Sequence, residues 1–174
     1  EATTSFIPPD NATWFPWHAA NMGGGPKLIS HRDSGTWNIV QRDGMPISLI
    51  DWEHAGPVDP LVALAQCCWL NAKLFDNVVA EREGLPPLDE RAQQLGAILD
   101  GYELPGAHRE GFIDLMIEFV VREAADQADA AGVGPDTRSA DVDPEVVWAQ
   151  AWTVRSAAWI IQHRVVLNAA IRRA

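Results

Sequence analysis

Three oxygen-bearing side chains in one short stretch of the chain could together support phosphoryl transfer. Asp33 is followed five residues later by Asn38, and Asp51 comes thirteen residues after Asn38. Transfer of a phosphoryl group from ATP needs a carboxylate to orient the acceptor hydroxyl and oxygen ligands to hold Mg²⁺ against the phosphates. Asp33 suits the first task, and Asn38 and Asp51 offer the hard oxygens that Mg²⁺ prefers. The alternative is that all three are ordinary turn residues that cap strands and helices.

The elements around these residues explain how they could meet. We predict three short strands ahead of the helices, over 27–30, 38–42 and 47–51. Asp43 and Gly44 suit a tight hairpin between the last two strands. A loop after the first strand carries Asp33 and Asn38, and the hairpin returns the backbone so that Asp51 lies beside them. The predicted result is one metal-bound triphosphate site.

Helical patterns fill the rest of the chain. The predicted helices cover 60–83, 88–102, 107–131 and a last long helix from Pro144, which Asp143 caps. On the last helix we predict one apolar stripe that packs into the core, formed by Trp148, Trp152, Val154, Ala158, Trp159, Ile161 and Val165. The predicted fold class is α+β, mainly α, with a helical bundle and a small β-hairpin region that carries the catalytic loop.

Composition limits the class of protein. With 174 residues, 47% of them hydrophobic, we expect one domain over 1–174. A net charge of −11 without a run of Lys or Arg argues against nucleic acid as a partner. No apolar run reaches the roughly 18 residues that span a bilayer, so we expect no membrane partner. Cys67 and Cys68 are adjacent in an apolar stretch, which predicts reduced thiols in a cytoplasmic protein.

The stretch 28–65, LISHRDSGTWNIVQRDGMPISLIDWEHAGPVDPLVALA, resembles the catalytic segment of the aminoglycoside phosphotransferase and related small-molecule kinase family. Members read His-Gly-Asp or His-Asn-Asp, then Asn, then Ile-Asp-Trp-Asp/Glu, then Gly-Asp-Pro. The resemblance implies the C-terminal lobe of a protein-kinase-like fold. It makes Asp33 the base-like catalytic carboxylate and Asn38 and Asp51 the Mg²⁺ ligands, with ATP as the phosphate donor.

The resemblance also implies supporting residues around this trio. His31 is then a structural residue of the catalytic loop, and Asp59 supports that loop from behind. Glu53 is a possible neighbour of the metal region. The sequence departs from the family where Arg32 replaces a small or amide residue and where Val58 replaces the usual Gly. We assign Arg32 no regulatory role, because no activation-loop signature follows Asp51.

The resemblance divides the chain and implies its partners. It predicts an irregular segment over 1–26, the catalytic loop and metal-binding hairpin over 27–59, and a helical subdomain over 60–174. No Gly-rich hairpin or Lys-bearing strand precedes the catalytic loop, so we expect that the amino-terminal lobe that grips the nucleotide is missing and that this chain alone is inactive.

The predicted function is that of an ATP-dependent phosphotransferase acting on a hydroxyl of a small molecule. Candidate contacts to this acceptor are four acidic residues of the third predicted helix, namely Asp114, Glu118, Glu123 and Asp126. Solvated helix faces carry the same pattern, which leaves each contact open. The alternative function is a non-catalytic kinase-like binding module or an inactive truncated fragment.

Overall fold

The computed structural model of the chain describes residues 5–172, apart from the side chain of Ser139. It is mainly helical and contains two small antiparallel sheets, which confirms the predicted α+β class. None of the helices in this range is both long and apolar enough to cross a membrane.

Four strands lie within the described residues: β1 (Leu28–Ser30), β2 (Ile39–Arg42), β3 (Met45–Leu49) and β4 (Gly56–Val58). They form two antiparallel pairs, β1 with β4 and β2 with β3. The predicted hairpin is confirmed: Asp43 and Gly44 have φ angles of 52° and 77°, which a two-residue hairpin turn requires. β3 begins and ends two residues before the predicted strand, because the turn occupies only these two residues. β4 was not predicted, since a segment with Gly56 and Pro57 shows no strand pattern of its own.

Seven α-helices lie within the described residues. They are α1 (Pro60–Asn71), α2 (Asn77–Glu83), α3 (Leu88–Gly101), α4 (Gly106–Arg109), α5 (Phe112–Ala130), α6 (Pro144–Gln162) and α7 (Arg164–Ile171). The prediction of one helix over 60–83 is wrong. Lys73 adopts a left-handed φ of 54°, and the Asp76 side chain accepts a hydrogen bond from the Val79 N–H at 3.1 Å, which starts a new helix.

Two other predicted helices are also divided. Gly111, with a φ of 76°, separates α4 from α5, and His163 separates α6 from α7. The predicted cap at the start of α6 is confirmed, because Asp143 accepts a hydrogen bond from the Glu145 N–H at 2.8 Å.

The predicted core stripe of α6 is wrong in part. Trp159 is buried, but Val154, Ile161 and Val165 are between 50% and 82% exposed. The buried face instead carries small residues and one isoleucine, namely Thr153, Ser156, Ala157 and Ile160. Hydroxyl groups are tolerated there because Thr153 and Ser156 each donate to the carbonyl four residues earlier, at 2.9 and 2.8 Å.

The core lies among the helices. α5 packs between α1 and α6, and α3 packs against α7. The largest fully buried side chains of this core come from several helices and include Phe112, Phe119, Leu95, Leu99, Ile160 and Leu167. This packed body supports the strands that carry the candidate site.

A buried guanidinium stabilises the break between α1 and α2. Nη1 of Arg91 donates to the carbonyls of Lys73 and Phe75 at 2.9 and 2.8 Å. The same guanidinium lies 4.2 Å from the ring centroid of Trp159 on α6. Arg91 is 2% exposed, so these contacts replace its hydration.

We expect Arg91→Lys to lower the free energy of unfolding by about 2 kcal/mol, because an ammonium group cannot reproduce both the carbonyl contacts and the stacking on Trp159. Urea unfolding followed by circular dichroism measures this change. The matched control is Arg122→Lys, which alters an exposed pair with Glu118 and should cost less than about 0.5 kcal/mol. Equal losses in the two variants would contradict the assignment.

Candidate active site

Asp33 and Asn38, two of the three predicted chemical residues, are in direct contact. Nδ2 of Asn38 donates to Oδ2 of Asp33 at 2.8 Å and to the Asp33 carbonyl at 2.9 Å. Nε1 of Trp37 donates to the same Oδ2 at 3.2 Å. Asn38 is buried in a short 3-10 turn over Thr36–Asn38. Its amide oxygen and the second oxygen of Asp33 accept no hydrogen bond from the described part of the chain.

Asp51 reaches the same end of the hairpin through the backbone. The Ile50 N–H donates to the Asn38 carbonyl at 3.0 Å, which continues the β2–β3 pairing by one step. Asp51 follows in a left-handed conformation, with a φ of 63°. Its side chain is exposed and makes no hydrogen bond to residues 5–172. The structure therefore brings Asp51 beside the loop that holds Asp33 and Asn38.

His31 links this loop to the hairpin. It is 4% exposed, and its Nε2 donates to the Ile50 carbonyl at 2.7 Å. Its Nδ1 accepts from the Asp33 N–H at 3.3 Å, which fixes the tautomer with the proton on Nε2. The ring also packs edge-on against Trp52, with centroids 4.7 Å apart. Both nitrogens are therefore used within the protein, as a supporting residue requires.

Arg32 is a supporting residue that the sequence reasoning missed. It is 3% exposed, and its guanidinium donates to the carbonyls of Phe15 at 3.2 Å and Pro57 at 2.6 Å. Burial lowers the pKa of this guanidinium. A Cβ at position 56 would lie 2.4 Å from its Cζ, so Gly56 makes room for it. In the sequence, Gly56 was the one available indication of this close approach.

Polar side chains in and just after α1 hold the other side of the loop. Nε2 of Gln66 donates to the Arg32 carbonyl at 2.7 Å, and Nδ2 of Asn71 donates to the Ser34 carbonyl at 2.7 Å. Lys73 donates to the Thr36 hydroxyl at 2.9 Å. Sequence reasoning missed these contacts because the partners lie 34 to 37 residues apart.

Asp59 is held by backbone N–H groups, and Glu53 lies at the surface. Asp59 is buried, and its carboxylate accepts hydrogen bonds from the N–H groups of Gly24, Gly25 and Leu61 at 3.1, 2.8 and 2.8 Å. It therefore caps α1 and holds the loop at Gly24 and Gly25. Among the described residues, none of its hydrogen bonds is to the catalytic loop over 31–38. Its side chain is short and satisfied by these nearer donors. The Glu53 side chain is 71% exposed and lies 3.4 Å from His54.

Two acidic side chains of α5, those of Glu123 and Asp126, lie beside His18. Nδ1 of His18 lies 3.5 Å from Glu123 and 3.7 Å from Asp126. Burial raises the pKa of Glu123, which a hydrogen bond from Gln127 partly offsets, and the charges of Asp126 and Asp33 raise this pKa further. Burial lowers the pKa of His18.

The other two acidic candidates of α5 are occupied. Asp114 pairs with Arg164 at 2.9 Å, and Glu118 pairs with Arg122 at 2.6 Å. These four side chains are between 48% and 60% exposed, which is the ordinary environment of surface ion pairs. Of the four candidates, Glu123 and Asp126 are therefore the two that pair with no arginine among the described residues.

The raised pKa of Glu123 predicts how stability depends on pH. The folded chain holds this proton more tightly than the unfolded chain, whose Glu titrates near 4.5. Stability is therefore lost as the pH rises from the unfolded pKa through the higher folded pKa. We expect Glu123→Gln to be more stable than the unmodified chain at pH 7, and this gain to disappear at pH 4. Urea midpoints at the two pH values measure the difference.

The matched control for this prediction is Glu118→Gln, the same exchange on the exposed face of the same helix. Because Glu118 pairs with Arg122 in solvent, this variant should show no gain in stability at pH 7. A gain of equal size in both variants would mean that overall charge, and not burial of Glu123, causes the effect.

Comparison with known proteins confirms the resemblance. A model of the phosphotransferase enzyme family matches residues 8–111, which include Asp33, Asn38 and Asp51. The chain is also 49% identical over 171 residues to the trifolitoxin immunity protein of Rhizobium leguminosarum bv. trifolii. The match covers 98% of this chain and 64% of that relative, so the chain spans less than two thirds of the relative's length. No solved structure matches. The family match extends over more than half of the chain, which therefore belongs to the phosphotransferase enzyme family.

Proposed function

We propose that this chain supplies the catalytic-loop lobe of an ATP-dependent phosphotransferase that acts on a hydroxyl of a small molecule. The observation that carries the proposal is the contact between Asp33 and Asn38 at the end of the hairpin where Asp51 also lies. If these were ordinary turn residues, their side-chain oxygens would accept hydrogen bonds from the backbone of the turns that contain them. Here one oxygen of Asp33, the amide oxygen of Asn38 and the carboxylate of Asp51 are left without partners among the described residues.

Asp33 orients the acceptor hydroxyl and takes up its proton as the bond to phosphorus forms. Its Oδ2 is held by the N–H groups of Trp37 and Asn38, at 3.2 and 2.8 Å. These two donors fix the plane of the carboxylate, so the second oxygen is presented in one direction to a substrate. Phosphoryl transfer requires mainly that the protein positions the reactants, and it requires little covalent chemistry from the protein.

Asn38 and Asp51 have the donor atoms to hold Mg²⁺. The amide nitrogen of Asn38 is used by Asp33, which leaves the amide oxygen for a metal, and the Asp51 carboxylate has no partner within 5–172. Bound Mg²⁺ would neutralise charge on the phosphates. Within that range no three His, Cys, Asp or Glu side chains gather so as to hold an ion, so phosphate and water oxygens would complete the shell.

An amino-terminal lobe that carries the nucleotide would pack on the hairpin. Four large apolar side chains there are 44% to 65% exposed, namely Met45, Ile47, Ile50 and Trp52. Several exposed large apolar side chains within one short segment are typical of a contact with another domain. This surface supports the assignment of the chain to the C-terminal lobe of a protein-kinase-like fold.

A second candidate function comes from the relative. Its name is that of an immunity protein for trifolitoxin, so this chain could protect a cell against a toxin. Protection could result from phosphorylation of a toxin or from non-catalytic binding. The two routes differ in their need for Asp33, because binding alone does not require a group that orients an acceptor hydroxyl.

The decisive experiment uses Asp33→Asn in the chain and in a version extended at its amino end by a nucleotide-gripping lobe. Binding of Mg²⁺-ATP is measured by isothermal titration, and ADP release is measured with a panel of hydroxylated and amino-sugar acceptors. We expect weak or no nucleotide binding by the chain alone. In the extended protein, Asp33→Asn should lower turnover by about 100-fold or more, because the carboxylate that accepts the hydroxyl proton is lost.

The matched control is Asp43→Asn, the same exchange in the exposed hairpin turn, where Asn also tolerates a positive φ. This control should keep turnover within about twofold of the unmodified protein. If the extended protein binds Mg²⁺-ATP but turns over none of the acceptors, the phosphotransferase proposal fails. Protection against a toxin that persists in Asp33→Asn would favour the non-catalytic function.

A further inference from the structure

A cavity of about 630 Å³ lies beside Asp33, in the size range of sites for small ligands. Its walls come from the catalytic loop, the break between α1 and α2, and the first half of α6. Four aromatic and two cationic side chains line it: Trp37, Phe75, Trp148, Trp152, Lys73 and Arg82. This cavity is distinct from the cluster formed by His18, Glu123 and Asp126.

Trp37 connects the cavity directly to the candidate catalytic carboxylate. The ring that lines the cavity also donates its Nε1–H to Asp33 at 3.2 Å. A Cβ at position 35 would lie 2.3 Å from the Trp37 ring, so Gly35 permits this ring position. A ligand that stacks on Trp37 therefore lies next to Asp33.

The aromatic walls differ in how far the protein covers them. Phe75 is buried and packs against Trp152, with centroids 4.9 Å apart, and Trp152 packs against Trp69 in the core at 5.1 Å. Trp37 and Trp148 are 54% and 46% exposed. The cavity thus has a fixed aromatic floor and two uncovered indole rings, and a planar ligand would bury apolar area on each of these.

Charge decides which ligand suits this lining. An aromatic cavity can hold either a cation or a planar ring. Three charged side chains line the cavity, the cations Lys73 and Arg82 and the carboxylate Glu83. Within 5–172, neither cation forms a salt bridge with a carboxylate. The lining therefore carries two cations and one carboxylate, and the Asp33 carboxylate lies behind Trp37. An anionic group beside Lys73 and Arg82 would meet two cations that no described carboxylate pairs with, and would be attracted to them.

We propose that this cavity binds the planar aromatic part of the acceptor, and that this acceptor carries an anionic group recognised by Lys73 and Arg82. The inference rests on the proposed function for the acceptor hydroxyl, which would point toward Asp33. Binding in the cavity itself requires neither ATP nor turnover.

The test uses 4-hydroxyphenylacetate as an anionic aromatic probe on the 174-residue chain, with tyramine as its cationic counterpart and 4-hydroxycyclohexylacetate as its non-aromatic counterpart. Indole N–H signals in nitrogen–proton correlation spectra report the site. We expect saturable shifts of Trp37, Trp148 and Trp152 with 4-hydroxyphenylacetate. Affinity should be about tenfold or more weaker for tyramine, which lacks the anionic group, and for 4-hydroxycyclohexylacetate, which lacks the aromatic ring.

Trp148→Ala should weaken binding of 4-hydroxyphenylacetate by about fivefold or more, since it removes one stacking surface. Its matched control, Ile161→Ala, removes a side chain of similar exposure on the same helix and should leave the affinity unchanged. Tighter binding of tyramine than of 4-hydroxyphenylacetate would overturn the charge assignment. Shifts confined to Trp14 or Trp52, or equal affinity in Trp148→Ala, would overturn the location.

Failure of this inference is distinguishable from failure of the proposed function. Intact binding of 4-hydroxyphenylacetate in an extended protein that turns over no acceptor would overturn only the phosphotransferase proposal. Turnover of other acceptors, without binding of the anionic aromatic probe in the cavity, would overturn only the inference about the cavity.

Discussion

The geometry of the candidate site depends on the buried guanidinium of Arg32. Its two hydrogen bonds join the segment before the strands, through Phe15, to β4, through Pro57. The backbone carbonyl of Arg32 accepts a hydrogen bond from the side chain of Gln66 on α1. Burial of a charge is costly unless polar partners replace water. Here two carbonyls and the Trp17 ring at 5.2 Å replace part of it, while Nε of Arg32 has no partner among the described residues. The neighbouring Asp33 is fixed because Arg32 has little freedom to move.

Both ends of the site contain backbone that is unfavourable for side chains larger than glycine. Arg32 and Asp51 have φ angles of 62° and 63°, in the left-handed region. Such conformations cost of order 1–3 kcal/mol and persist only where surrounding contacts enforce them. The contacts of Arg32 and the Ile50–Asn38 and Ile50–His31 hydrogen bonds provide this enforcement. Left-handed backbone therefore immediately precedes Asp33 and includes Asp51.

The chain contains two chemically different environments besides the candidate site. One is formed by His18 and by Glu123 of α5, whose pKa shifts have opposite directions and both favour the neutral form. Around Trp37, aromatic rings and two cations form an open cavity. An acidic overall charge gives no indication of this second environment, because a net charge sums over the whole surface and a ligand meets only the local one.

The sequence by itself determined the local features. The order of Asp33, Asn38 and Asp51, the hairpin turn at Asp43 and the helix cap at Asp143 follow from chemistry within a few residues. Tertiary structure decided the features that depend on distant partners. The helical pattern over 60–83 is interrupted because Arg91 binds the carbonyls of the break, and the buried face of α6 is chosen by the fit against α5. The prediction of the buried face used only the spacing of apolar residues. In the structure Thr153 and Ser156 are also buried on that face, because their hydroxyls are hydrogen-bonded within the helix.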